Sequence, residues 1–531
     1  QLFHGFKWRR GLPCFLQGFL ELVFDRSTGA LLPVPSLEAI RAVRQVTLWP
    51  GKLFEVCDDD RMRASVRAFQ DVESTLRDLD CQVEILGQLG QVVVKHFGAS
   101  LSRIDQDVYD GHLFGTHGPG ATADGLLGNK KFRIRRWTSR LDVWFPVVDH
   151  AIPNPRFAHL IDSMKWDSPE TELPVKVTPV PKTAAKARII AIEPTHMQYA
   201  QQALLRLFKR EFSGQAPFID LLDQSKNQEL ARLGSIDGSI STIDLSDASD
   251  RVTLQLVRAL FARYPSLLGA LEASRSTRAR LPSGEIIHLR KFASMGSAVC
   301  FPVESIAFAA IALLSVQHYA ESIGASSVLI KRMLRQTRVF GDDIVIPTAV
   351  VPICLRYLDR LGLKVNAHKS FWTGRFRESC GREYFEGEDV TVARLRKRLP
   401  LSRRNAREVA SLVSFRNRLY ERGYWLVASG IDDRLRKLGP LPIIESTSPI
   451  LGRISCCFRP TSEGWDSELH APLTRGMLLT SRPPASIADE VGALMKCLVP
   501  VRELPYQDPQ HLERSGRPRA VYLKHGWSQP F

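Results

Sequence analysis

Long hydrophobic runs are missing from this 531-residue chain. The longest, Ile306 to Leu314, is nine residues, less than half of what a membrane-crossing helix needs. Near the N-terminus the apolar stretch Gly11 to Phe24 is broken by Gln17 and Glu21, which makes it a poor signal peptide. Paired cysteine spacings are missing as well. The nine cysteines include no C-x-x-C, and only Cys456-Cys457 stand close together. They read as reduced core thiols of a cytosolic protein and argue against a zinc site or a disulfide framework. There is no internal repeat and no low-complexity tract. Acidic residues are in deficit, 56 against 72 lysines and arginines, for a net charge of +16 and a pI near 9.6. That excess points to a polyanionic partner without saying which one. A hydrophobic fraction of 44% is that of a globular chain, and the length allows three or four structural units. Residue 1 is glutamine, so the chain is expected to be processed or to lack its first residues.

Most of residues 1–110 carry apolar positions at helical spacing, in Leu37 to Leu48 and in Val66 to Leu89. A glycine-rich stretch, His117-Gly118-Pro119-Gly120-Ala121, precedes Lys130, Lys131, Arg133, Arg135, Arg136 and Arg140, with Phe132 and Trp137 interleaved. Such a mixture suits a nucleic-acid backbone passing aromatic stacking surfaces, or else a solvated basic loop. Pro174 to Pro194 reads as extended, residues 240–246 as a strand, Val252 to Phe261 as a helix and Arg280 to Glu285 as a hairpin turn. Met295 to Tyr319 begins as a loop and continues as an apolar helix, and Val351 to Leu361 is a further helix. Arg394 to Arg407 holds seven basic residues and no acid; a helical part follows, then a proline-rich, irregular tail from Pro505.

The run Val339-Phe340-Gly341-Asp342-Asp343-Ile344-Val345-Ile346 reads as strand, tight turn, strand, with two carboxylates at the tip. Alone it could be a solvated acidic hairpin. A second acidic strand lies 98 residues upstream, at Ile243-Asp244-Leu245-Ser246-Asp247-Ala248-Ser249-Asp250. Carboxylates on two rigid elements are what two-metal phosphoryl or nucleotidyl transfer requires, with Mg²⁺ ions about 3.5–4 Å apart. Asp244 and Asp342 are expected to bridge both ions and Asp343 to complete the shell, with Mn²⁺ as a substitute. Lys182, Lys186 and Arg188 would face a triphosphate or its pyrophosphate leaving group, or are simply the lysines of a surface strand. Ser294 and Gly296 could contact a ribose or the templating nucleotide, or cap the following helix. Asp250 could accept a ribose 2′-hydroxyl or act as a helix cap. Lys369 could protonate departing pyrophosphate, or be an ordinary surface lysine. Lys130, Lys131, Arg133, Arg396, Lys397 and Arg398 are the candidate RNA contacts.

Taken in order, these segments resemble motifs A, B, C, D and F of viral RNA-dependent RNA polymerases, and most of all those of the replicase subunit of single-stranded RNA bacteriophages, the leviviruses. The resemblance rests on Pro181-Lys182 through Glu193-Pro194, Asp244-Leu245-Ser246 through Asp250, Ser294-Met295-Gly296 through Glu304-Ser305, and Gly341-Asp342-Asp343. Phe376-Arg377-Glu378-Ser379-Cys380-Gly381, Asp389-Val390-Thr391 and His117 to Ala121 add to it, so that it covers roughly residues 10–420. Where that family usually has asparagine after the motif B glycine, this chain has Ser297, a shorter donor and acceptor.

The resemblance implies an α+β, right-handed polymerase of fingers, palm and thumb. Residues 1–172 would be an N-terminal region with part of the fingers, and 173–235 fingers with the basic NTP-entry motif. The palm would be 236–392, with a fingers hairpin inserted near 263–291, and 393–531 the thumb and tail. It also implies NTP substrates, an RNA template and product, and copying of a positive-strand genome in the cytoplasm of a bacterial host, with no membrane. The implied partners are elongation factors Tu and Ts and a ribosomal RNA-binding protein. The alternatives are a related polymerase of a capsidless fungal or mitochondrial RNA virus and a non-catalytic basic RNA-binding protein. A reverse transcriptase fits less well, because Phe340-Gly341 precedes the paired acids.

Overall fold

The computed structural model describes residues 7–9, 11–55, 57–77, 82–118, 120–183, 187–214, 216–482, 489–501 and 520–531. Its centre is the helix Cys300–Ser322, in which seventeen of 23 residues are buried. By length and composition this helix could cross a membrane, yet 89% of its most apolar 18-residue window is covered by the protein itself. Its apolar residues face all round because Val83–Tyr109, Leu254–Phe261, Ser327–Arg335 and Val351–Arg360 enclose it.

A small antiparallel sheet lies against this helix. Asp343–Pro347 is its middle strand, paired with Arg338–Phe340 on one side and Ile240–Ile243 on the other. A second sheet joins Val175–Pro181 to Ala187–Ile192 and to the hairpin Arg278–Arg280/Ile286–His288. A meander, Phe376–Ser379, Arg382–Phe385 and Glu388–Asp389, packs against the first sheet. Arg377, fully buried, braces the meander by donating to the Ile240 carbonyl at 2.6 Å and to its own turn at Phe376 and Gly374.

Leu37–Leu48 is a helix with the bounds its periodicity predicts; Ser36 caps it by accepting from the Ala39 N–H. It docks on residues some 350 positions later. Gln45 exchanges two hydrogen bonds with the backbone of Ala393, at 2.8 and 2.9 Å, Arg41 pairs with Glu388, and Arg44 with Glu383. Val66 to Leu89 does not form one helix: Asp59–Arg77 and Val83–Tyr109 are separate. A second core gathers Ala393, Val409, Leu412, Leu435 and Met477. The tail beyond Pro505 is not wholly irregular. Residues 502–519 lie outside the described residues, but Ala520–Ser528 is a strand paired along its length with Ala471–Arg482. The prolines masked it, and its partner strand is about forty residues upstream.

Candidate active site

The expected strand over 240–246 is interrupted at the residue that matters. Ile240–Ile243 pairs with Asp343–Pro347, while Leu245–Ser246 pairs with Lys364–Val365, leaving Asp244 between two ladders. Ile344 lies opposite Ile243, so Asp343, one residue before it, and Asp244, one residue after Ile243, meet at the same end of the sheet. Asp342 stands exposed in the turn. The turn itself is dictated by packing. Gly341 has φ 60°, and a Cβ there would come within 2.6 Å of the Phe301 ring, so both the conformation and the space require glycine. Its N–H donates to Ser305 Oγ at 3.1 Å, which anchors the tip to the central helix.

Asp244 is held from the segment that follows the Lys364–Val365 strand. Asn366 Nδ2 donates to Asp244 Oδ2 at 2.8 Å, the Asn366 N–H donates to the Asp244 carbonyl, and Ser370 Oγ accepts from the Asp244 N–H. Lys369 Nζ lies 3.6 Å from Asp244 Oδ1. The Cys380 N–H donates to Asp343 Oδ2 at 3.2 Å. Burial raises the Asp244 carboxyl, with Lys369 opposing and Asp342 adding to the rise. Burial and the charges of Asp342, Glu378 and Asp244 push Asp343 up to about 7. Burial also raises Glu378, against the pull of Lys369. For Lys369, burial acts downward but the carboxylates of Asp244, Glu378, Asp342 and Asp343 outweigh it, and its pKa is raised. Beneath the turn Glu304 is buried, and burial, Asp342 and Asp250 raise it well above its ordinary value.

Negative charge is thus concentrated chiefly against Lys369, with Lys52 acting on Glu378. Hard oxygen donors that destabilise one another in this way suit a hard divalent cation. Among the described residues no three His, Cys, Asp or Glu side chains already close a coordination shell. That is compatible with Mg²⁺, which is held by one or two carboxylates together with waters and substrate phosphates.

The nucleotide-side residues divide. Lys182 lies in the turn of the Val175–Pro181/Ala187–Ile192 hairpin, Arg188 is exposed on its second strand, and Lys186 lies outside the described residues. The loop Ser294–Ser297 docks on that strand. The Ala191 N–H donates to the Met295 carbonyl at 2.9 Å, and a Cβ on Gly296 (φ 131°) would collide with the Ala191 carbonyl oxygen. Ser294 does not present its hydroxyl to a ligand. It is buried, has no hydrogen-bond partner among the described residues, and lines a small internal void with Glu193, Gln201 and Arg275. Docking of the loop exposes Met295 and Gly296 and turns both flanking serines inward.

Asp250 is no helix cap. It is the third residue of the short helix Ala248–Arg251, and its Oδ1 accepts from Lys291 Nζ at 2.9 Å. Lys131 is also not a surface contact. Only 4% exposed, it donates to the Gly118 and Gly120 carbonyls and so fastens the glycine-rich loop. Lys130 is exposed, and Arg133 lies 3.6 Å from Asp489. Arg396 is exposed, Lys397 sits over the Phe54 ring, and Arg398 makes a two-bond pair with Glu55. The acid absent from this basic run is supplied from far upstream. Residues missed from sequence are Glu378, Asn366, Ser370 and Glu304. None carried a local signal: Glu378 faces away from Arg377 and Ser379, which are buried, but nothing nearby in the sequence marks an arginine face as the buried one.

The RNA replicase beta-chain family model matches residues 162–438, just over half of the chain. The chain belongs to that family. Among RNA-directed RNA polymerase beta subunits, the chain is 32% identical to that of Escherichia virus Qbeta, over 52% of this chain and 44% of the relative. It is 37% identical to that of Enterobacteria phage SP over 49% and 40%, and 35% identical to that of Escherichia phage MS2 over 49% and 43%. The chain therefore aligns with less than half the length of these relatives. Among solved structures, the RNA-dependent RNA polymerase of BmCPV in its quiescent state aligns over 67% of this chain and 32% of its own, with a TM-score of 0.43 and 11% identity. That of a human picorbirnavirus covers 50% of this chain and 55% of its own, at 0.32 and 12%. The assignment rests on the family match, not on these likenesses. The fold is α+β.

Proposed function

We propose that this chain is an RNA-dependent RNA polymerase that copies a positive-strand phage RNA genome through a negative strand, by two-metal nucleotidyl transfer. The observation that carries this reading is the convergence of Asp244, Asp342 and Asp343 at one end of the central sheet of a replicase-family chain, with negative charge left largely uncompensated. Asp244, Asp342 and Asp343 would hold Mg²⁺; the chemistry the ions supply when bound is activation of the attacking hydroxyl and neutralisation of charge on the leaving phosphate. Lys182 and Arg188 bind the triphosphate. Asp250 accepts the ribose hydroxyl through its free carboxylate oxygen. Lys369, kept protonated by its acidic neighbours, holds the proton that the departing pyrophosphate takes up. Lys130, Arg133, Arg396 and Lys397 bear on the RNA backbone, where contacts position without reading sequence.

In this reading residues 173–235 with the 263–291 insertion form fingers, 236–392 palm and 393–531 thumb. The chain works in the cytoplasm of an infected bacterium, with elongation factors Tu and Ts and a ribosomal RNA-binding protein as partners. The family match favours this reading over a capsidless fungal or mitochondrial virus. The test is to purify the chain alone and with Tu and Ts, then measure NTP incorporation on an RNA template with Mg²⁺ and with a chelator. Metal-dependent incorporation is expected. RNA binding that survives chelation, with no incorporation in either preparation, would leave a non-catalytic RNA-binding protein.

A further inference from the structure

We infer that Lys291 is a positioning residue for sugar selection: it fixes the Asp250 carboxylate and ties it, through Glu73 and Phe69, to the N-terminal helix Asp59–Arg77. The inference rests on the reading of Asp250 as the ribose acceptor. The Lys291 side chain is fully buried. Its ammonium lies 2.9 Å from Asp250 Oδ1, 3.1 Å from Glu73 Oε1 and 3.5 Å from the centroid of the Phe69 ring. The ammonium hydrogen-bonds Asp250, has Glu73 at ion-pair distance and the Phe69 ring over it, and because it is fully buried it cannot reach a nucleotide. Asp250 can. Its side chain keeps 17% of its surface exposed, and among the described residues no donor reaches its Oδ2. One oxygen is anchored and the other is open to accept a hydroxyl.

The surroundings make the anchor rigid. Arg275 donates to the carbonyls of Leu289, Lys291 and Phe292 at 2.6, 2.7 and 2.9 Å. The Arg290 N–H donates to Glu73 Oε2 at 2.7 Å, and the Phe292 N–H to the Val252 carbonyl at 2.8 Å. The segment that delivers Lys291, which follows the Ile286–His288 strand and bridges to Thr253, is therefore fixed relative to Asp250, and it leads directly into the Ser294–Ser297 loop. A purely mechanical staple between the Asp59–Arg77 helix and this segment needs no ions. Well-packed apolar side chains hold such a junction at least as well as a buried ion cluster, whose desolvation is costly. Two carboxylates around one ammonium also leave the cluster with one net negative charge, which keeps the open oxygen of Asp250 a strong acceptor.

The test compares single-nucleotide addition with NTP and with 2′-deoxy-NTP, using the full chain with whatever host proteins activity needs. Lys291→Met combined with Glu73→Gln removes the buried cation while keeping the cluster's net charge; thermal melting checks the fold. The expected result is a fall of about tenfold in the preference for NTP over dNTP. It should be carried by a higher KM for NTP, with dNTP addition nearly unchanged. Lys291→Arg, which keeps the charge but cannot place it between both acids and the ring, should fall in between, and it serves alone if the double variant does not fold. In an Asp250→Ala background the Lys291 changes should alter the preference no further. Equal losses with NTP and dNTP, or a further drop on top of Asp250→Ala, would overturn the positioning role and leave a structural one. If Asp250→Ala itself keeps the wild-type preference, the ribose reading of Asp250 fails and this inference falls with it. If Asp250→Ala abolishes the preference and the Lys291 variants keep it, only the inference fails.

Discussion

At Asp432 a carboxylate with 4% of its side chain exposed meets the guanidinium of Arg416 through two hydrogen bonds, of 2.7 and 3.0 Å, whereas at the Gly341 turn Asp244, Asp342, Asp343 and Glu378 share the ammonium of Lys369. The first arrangement is closed. Arg416 also donates to the Ile454 carbonyl at 2.8 Å, so every charge there is answered from within the protein. The second is left open, and the electrostatic cost appears as raised carboxyl pKa values. Residues of the same type therefore do different work: the Arg416–Asp432 pair holds two helices together, whereas the hairpin tip, on the proposed reading, would take a cation from outside.

The sharpest way to break this comparison is at the tip. Asp342→Asn should lower nucleotide incorporation about a thousandfold or more, since losing a metal-ligand charge costs several kcal/mol at the transition state. Fold and RNA binding should hardly change, because Asp342 is exposed. A purified variant retaining more than about a tenth of wild-type activity would refute a metal role for Asp342. At the closed pair the effect should fall on stability instead. Arg416→Met leaves Asp432 buried with, among the described residues, only Arg453 nearby, at 3.9 Å, and should cost about 3–5 kcal/mol. Denaturant melts that show less than about 1 kcal/mol would mean that water reaches Asp432.

Charge of the opposite sign extends the comparison. The run Arg394 to Arg407 passes beside Lys52, which burial and then Arg394 and Arg396 hold below its ordinary pKa. Changing Arg396, Lys397 and Arg398 together to alanine should weaken binding to any RNA and flatten its salt dependence by about two units. Arg398, already paired with Glu55, accounts for the shortfall from three. An unchanged slope in filter-binding titrations would remove the segment from the RNA path.

The smallest effect concerns pH. The folded-state pKa of Asp343 is raised to about 7 from 3.8, so its contribution favours the folded state below about pH 4 and is lost as pH rises through 7. In metal-free buffer Asp343→Asn should therefore raise Tm by at most a few °C at pH 8, with the gain vanishing near pH 4. A constant difference across that range would assign the change to packing.

Much of the open site could be read in the sequence, because local rules write it. An acidic pair at a glycine turn between β-branched residues specifies a hairpin, and Leu37–Leu48 has both its cap and its periodicity. What escaped was decided by distant partners. Nothing near Lys131 announces that its ammonium fastens Gly118 and Gly120. The inward turn of Ser294 follows from a loop docked on Ala191, and Arg398 meets an acid 343 positions away. The break at Asp244 between two ladders was equally hidden, since each ladder is written by a strand about a hundred residues downstream.

The docking of Leu37–Leu48 on the Glu383–Ala393 segment has a consequence in time. The Gln45 side chain cannot be satisfied until Ala393, 348 residues later, has been synthesised. At roughly 5–20 residues per second that delay is about 17–70 s, far longer than a helix or hairpin takes to form. For that interval Ala39 and Ile40 have no Phe385 or Val390 to cover them. The growing chain carries an unfinished apolar face in a crowded cell, and protease protection of this helix in stalled nascent chains should begin only once residue 393 is free to fold. Closure of this part of the molecule is therefore late relative to the helix that waits for it, which is made 348 residues earlier.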